Sequence, residues 1–187
     1  MHIASAQEDV RRLYRRGSVG QLVTALVWAG SAIVASQEST VAASMALFLG
    51  GTLIFPLTTV GLRLRGGPAS LPKGHPMSAL AFQLAMQAPL GLVVVLALAA
   101  LQPSLLFPAA MVIVGAHYLP FVYLYGMRSF LFLSVPLIVV GVLIASVMPE
   151  WSLVGAWFTV AALLAFSVVE FFRDRQVSDA DLARTGA

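Results

Sequence analysis

Cysteine is absent from this 187-residue chain, which excludes a disulfide framework, a thiolate metal centre and a cysteine nucleophile. Histidine is scarce, with only His2, His75 and His117, and the first and second fall in segments away from the third. That supply disfavours a structural zinc, a haem held by two histidines or a serine–histidine–aspartate triad. No His-Glu-x-x-His, no Gly-x-Ser-x-Gly and no pair of aspartates within an apolar stretch occurs. Charge is thin as well: 10% of residues are Asp, Glu, Lys or Arg, against roughly 25% in soluble domains. Hydrocarbon replaces it, with 59% hydrophobic residues and a mean hydropathy of +0.91, the balance of an integral membrane protein. A net charge of +3 would suggest nucleic acid in a soluble chain. Here the basic residues stand in short runs between apolar stretches, where they set topology, so the expected partner is the lipid bilayer and not nucleic acid. No cofactor is expected.

Six apolar stretches each approach the roughly 20 residues needed to cross a bilayer: Val19–Ala35, Val41–Leu62, Ser78–Leu101, Leu105–Met127, Phe130–Met148 and Trp151–Phe172. The first has basic flanks but is long for a signal-peptide core, and a second span follows after the short turn Ser36–Thr40, so the two read as a transmembrane hairpin. Arg63–Pro76 is a basic loop rich in Gly and Pro, without the Gly-Lys-Ser/Thr of a phosphate loop. The expected fold is all-α, a bundle of six transmembrane helices over residues 18–172. A cytoplasmic segment, residues 1–17, precedes it and a polar tail, 173–187, follows. In the first segment Ile3, Ala6, Val10, Leu13 and Tyr14 recur at helical spacing opposite Arg11, Arg12, Arg15 and Arg16. This pattern reads as a short amphipathic helix on an anionic surface, or as a charge cluster that fixes topology.

The basic residues test the six-span count. Arg11, Arg12, Arg15 and Arg16 precede the first span; Arg63, Arg65 and Lys73 follow the second; Arg128 follows the fourth; Arg173, Arg175 and Arg184 follow the sixth. These are all 11 Lys and Arg of the chain. The alternate turns, holding Glu38, Gln102 and Glu150, carry none. Lys and Arg gather on the cytoplasmic side, so both termini are expected inside, in a bacterial inner membrane. Gly51-Thr-Leu-Ile-Phe-Pro56 also aligns with Gly115-Ala-His-Tyr-Leu-Pro120, which reads either as a parallel internal repeat or as coincidence between common membrane-helix residues.

Polar side chains inside an apolar span require a partner or a task. Gly115–Arg128 concentrates them. At about 1.5 Å per residue His117 lies roughly 16 Å from Arg128, near mid-membrane, and Gln87 reaches a similar depth on the third span, with Gln83 one turn away. The candidate ligand-binding residues are therefore His117, Tyr118, Gln87, Gln83, Arg128, Tyr125 and Glu170, with no catalytic and no metal-ligating set. His117 reads either as a proton or ligand contact or as a neutral hydrogen-bonded packing residue. Arg128 and Glu170 read as an ion pair or as separate boundary residues. Tyr14, Trp28, Trp151 and Trp157 read as interfacial anchors or packing groups.

Four pieces of the chain carry a resemblance: Gly20–Ala35 with its Leu-Val-Trp28, Phe48-Leu-Gly-Gly-Thr-Leu-Ile-Phe-Pro-Leu57, Gly74-His-Pro76, and Phe107-Pro through Leu124-Tyr-Gly-Met-Arg128. Together they resemble a family of small bacterial membrane proteins catalogued only as a domain of unknown function. The resemblance implies a polytopic fold and no known activity. It also implies that arginine often stands where His117 does, and so a cationic or hydrogen-bonding role at that position. The functional expectation is a small-molecule or ion site between helices, used in transport or sensing. The alternatives are an assembly subunit, including a homo-oligomer, that uses helix-packing faces, and, third, an intramembrane enzyme, disfavoured by the thin supply of acid–base groups.

Overall fold

The computed structural model describes residues 2–185, with side chains described through Val177. Among the described residues eight α-helices run in order: α1 (Ile3–Leu13), α2 (Ser18–Gln37), α3 (Thr40–Leu64), α4 (Ser78–Leu101), α5 (Leu106–Tyr118), α6 (Phe121–Tyr125), α7 (Ser129–Val147) and α8 (Ser152–Thr185). Six helical segments are long and apolar enough to cross a membrane: Arg15–Gln37, Thr40–Leu64, Ser78–Leu101, Pro103–Tyr125, Ser129–Val147 and Pro149–Val177. The chain is a multi-pass membrane protein. Consecutive spans run in opposite directions, so the basic connections share one end, called the basic end below.

Within the bundle α2 packs against α3 and α8, α5 against α4, α7 and α8, and α3 against α4. Half of the fourth span and 44% of the first and sixth are buried, against 17% of the second and 22% of the third. The inner helices are therefore α2, α5 and α8, while α3 and α4 turn most of their side chains outward. Trp28 of α2 is buried against Phe107 of α5, ring centroids 6.0 Å apart, and so is a core residue and not an interfacial anchor.

Close helix contact comes from small residues, since lipid supplies no hydrophobic drive between helices. Gly115 of α5 lies against the Ser134 carbonyl and the Ile138 amide of α7, and Gly141 of α7 against the Pro108 carbonyl of α5. At the first of these contacts Ser134 Oγ donates to the Gly115 carbonyl at 2.6 Å. Ser31 of α2 bonds the Ala43 carbonyl of α3 at 2.8 Å, and Ser167 of α8 bonds the Ser18 carbonyl at 2.8 Å.

Pro56, Pro89 and Pro136 sit inside unbroken helices, whereas the fourth span breaks into α5 and α6 at Leu119-Pro120. Pro120 has no N–H for the Ala116 carbonyl, which takes the Leu119 amide instead at 3.2 Å and tightens the turn. Thus Pro56 and Pro120, aligned in sequence, do not adopt the same local structure. The polar tail is not separate from the last span either: α8 continues to Thr185, and its 34 residues measure about 50 Å, well beyond a hydrocarbon core of about 30 Å.

Candidate functional site

The candidate residues fall in three places, the first two joined through the ring of Phe121, which touches His117, Tyr118 and Tyr125. The first is the seam between α4 and α5. Gly91 of α4 faces Ile113 of α5; one turn toward the basic end from there stand Gln87 on α4 and His117 on the antiparallel α5, followed by Gln83 and Phe121. The depth match between His117 and Gln87 is thus present. No hydrogen bond joins them: Gln83 and Gln87 are exposed on the outward side of α4, and His117 Nδ1 is buried with no partner. The imidazole instead rests on Phe121, centroid distance 4.8 Å, and lies 5.4 Å from the Tyr118 ring. It sits immediately before the Leu119-Pro120 break, where backbone bonding is already irregular.

The second place lies inside the bundle. Tyr118 and Tyr125 are buried and belong to a column of rings: Tyr118 to Phe130 at 6.3 Å, Phe130 to Tyr125 at 5.0 Å, Tyr125 to Tyr14 at 6.4 Å, and Phe130 to Phe166 of α8 at 4.8 Å. The Tyr118 hydroxyl meets Thr24 of α2. Close by, Gln21 is 3% exposed and its Oε1 has no partner. At the end of the column, outside the spans, burial pushes the Tyr14 phenol up, opposed by a hydrogen bond with the Leu71 backbone.

The third place is the basic end, where Glu170 matches neither of its two readings, an ion pair with Arg128 or a boundary residue facing water. Glu170 does not face water or pair with Arg128, which is exposed. Its carboxylate is fully buried, receiving Arg16 Nε at 2.7 Å and Arg173 Nη1 at 3.0 Å. A carboxylate at that depth needs cations aimed at it, and the backbone supplies one at a cost. Arg15 and Arg16 adopt φ of 49° and 55°, left-handed values, before Gly17 at 83°; each non-glycine residue there stores about 1–3 kcal/mol. Arg15 meets Asp174 at 3.5 Å. Gly17 permits the turn to press against Phe130, which a Cβ would approach to 3.1 Å.

Helix α1 lies over this end. Gln7 Nε2 donates to the Tyr123 carbonyl and Arg11 Nη1 to the Tyr125 carbonyl, each at 2.7 Å, satisfying acceptors that a helix end leaves open. Gly126 closes α6 at φ 62°, and any Cβ there would strike Gln7 and Arg11. His75 Nδ1 accepts from the Met77 amide at 3.2 Å, leaving Nε2 to donate to Asp9 at 3.4 Å. A cleft of about 570 Å³ opens between α1, the α3–α4 loop and α8, lined in part by Asp9, Arg12, Arg15, Gly66 and Asp174.

Sequence reasoning missed Gln21, Thr24 and Arg16. A mid-span amide was the available signal for Gln21, since Gln83 and Gln87 were noticed on that ground; Arg16 looked like one of four equivalent basic residues. Among the described residues no group of three or more His, Asp or Glu could hold a metal ion. A family model described only as a family of unknown function matches residues 3–173. No curated protein and no solved structure matches the chain.

Proposed function

Because the chain belongs to the family of unknown function DUF7010, whose description names no activity, we propose from the site alone that it binds a small polar molecule or ion within the bilayer, at the α4–α5 seam between His117 and Gln87. The observation that carries this reading is the buried Nδ1 of His117 without a partner. A buried polar atom left unpaired costs about 1–3 kcal/mol, and a ligand or a rotated Gln87 amide would recover it. The adjoining helix break fits the same reading, since interrupted membrane helices are where small polar ligands are held. Transport or sensing is the use. Under the positive-inside rule the basic end faces the cytoplasm of a bacterial inner membrane, with both termini inside.

A second reading follows from Gln83 and Gln87, exposed one turn apart on an otherwise apolar, outward-facing helix. Carboxamides donate and accept at once, so two copies of α4 would satisfy each other across a two-fold axis, worth about 0.6–2 kcal/mol per bond. One experiment separates the readings: native mass spectrometry of the protein released from membranes. A monomer with a small adduct that disappears in His117→Ala supports the seam site. A dimer without adduct, split by Gln83→Leu/Gln87→Leu, transfers the role of the glutamines to assembly and overturns the first reading.

A further inference from the structure

Arg65, just beyond the end of α3, and Arg175, one turn past Phe171 on α8, hold their guanidinium carbons 4.6 Å from the centroid of the same Phe171 ring. The two cations are therefore at most about twice that distance apart. Cation–π attraction holds each on the ring, but among the described residues no carboxylate neutralises the pair. The acids of α8 whose side chains are described near Phe171 are committed elsewhere, Glu170 to Arg16 and Arg173, and Asp174 to Arg15. Neither Arg65 nor Arg175 has a carboxylate partner among the described residues, and both are exposed. Two unneutralised guanidinium forks gathered on one hydrophobic platform match an oxyanion with several acceptor oxygens, because each fork donates two parallel bonds.

Position narrows the choice of oxyanion. Leu64 and Phe172, the neighbours of Arg65 and Phe171, are 83% and 58% exposed at the basic limit of the spans, and α2, which packs on both α3 and α8, leaves Leu22 and Leu26 exposed. A phosphate at the arginines would thus have apolar side chains beside it on the bilayer side. We propose that Arg65 and Arg175, mounted on Phe171, form a phosphate-binding site for the headgroup of an anionic phospholipid. The site requires only that the helices cross a bilayer and is independent of what His117 binds.

The test is native mass spectrometry of the detergent-solubilised full chain with added phosphatidylglycerol, phosphatidylcholine or inorganic phosphate. Phosphatidylglycerol should be retained in preference to phosphatidylcholine. Arg65→Gln/Arg175→Gln should weaken its retention roughly tenfold, the loss expected for exposed charge-assisted bonds. Arg65→Lys/Arg175→Lys, which keeps the charge and loses the fork, should fall between. Lys73→Gln, an exposed cation at the same end, should bind like the parent. All the replaced side chains are exposed, and unchanged melting curves verify that the fold is intact. Inorganic phosphate that binds through the same two arginines and abolishes the phosphatidylglycerol preference keeps the phosphate site and overturns the lipid source. Equal retention of the two lipids, or full retention of phosphatidylglycerol by the glutamine variant, overturns the proposal.

Discussion

Glu170→Ala should lower the melting temperature of the detergent-solubilised protein by roughly 6–12 °C, as judged by loss of helical circular dichroism. The variant leaves Arg16 inside the basic end without its carboxylate. Removing one partner of a buried pair costs about 3–5 kcal/mol, and the Arg16 side chain, 21% exposed, retains enough water to place the loss near the lower figure. At about 2–4 °C per kcal/mol for a chain of this size, the shift follows. Arg173 contributes less, because its side chain is 54% exposed and exposed pairs are worth at most about 1 kcal/mol. Arg16→Met/Glu170→Leu should regain most of the loss, since the uncompensated charge is then gone. A Glu170→Ala protein that melts with the parent would show that the buried pair does not hold the N-terminal turn against α8.

The second large effect belongs to Gly115→Val. Its Cβ would stand 3.0 Å from the Ser134 carbonyl oxygen and 3.1 Å from the Ile138 amide nitrogen. Backbone cannot rotate away as a side-chain end can, so α5 and α7 must separate. Overpacking costs about 1–3 kcal/mol, and the Ser134 bond to the Gly115 carbonyl would be lost for about 0.6–1.7 kcal/mol more. Thermal unfolding should show a fall comparable to that of Glu170→Ala, and a smaller one for Gly115→Ala, which omits the branched methyls. Gly30→Ala is the control, because a Cβ at Gly30 meets nothing within 4 Å; it should melt with the parent. Equal melting of Gly115→Val and the parent would mean that the close α5–α7 approach is not what holds these helices.

These two cases also show what the sequence could and could not convey. The six spans were legible because hydropathy and the placement of Lys and Arg are properties of single residues summed over a window. The partner of Glu170 was not, because Arg16 lies 154 positions away and looks no different from Arg11, Arg12 or Arg15 until the turn at Arg15–Gly17 aims it. Pro120 announced a bend, yet Pro56, Pro89 and Pro136 announced the same and sit in continuous helices. What distinguishes Pro120 is local bonding around Ala116. The faces of Gln83 and Gln87 were equally hidden: α4 is apolar all round, so no periodicity marks its inner side, and their shared depth with His117 could be counted but their outward direction could not. Tyr118 and Tyr125 were picked as ligand contacts from their position beside His117; the Tyr118 ring does stand 5.4 Å from the imidazole, and Phe121 joins His117 to both tyrosines of the ring column, a link that spacing along the chain did not convey.

The seam site rests on His117, and imidazole nitrogen shifts report hydrogen bonding at that ring directly. With histidine labelled in ¹⁵N, only His2, His75 and His117 give signals, and His117→Ala assigns the third. Solid-state NMR of isolated cell membranes should place His117 Nδ1 at the shift of a bonded nitrogen, and purification into synthetic lipid, or Gln87→Leu, should move it to that of an unpartnered one. An Nδ1 signal identical in cell membranes, in synthetic lipid and in the Gln87→Leu protein would contradict the site.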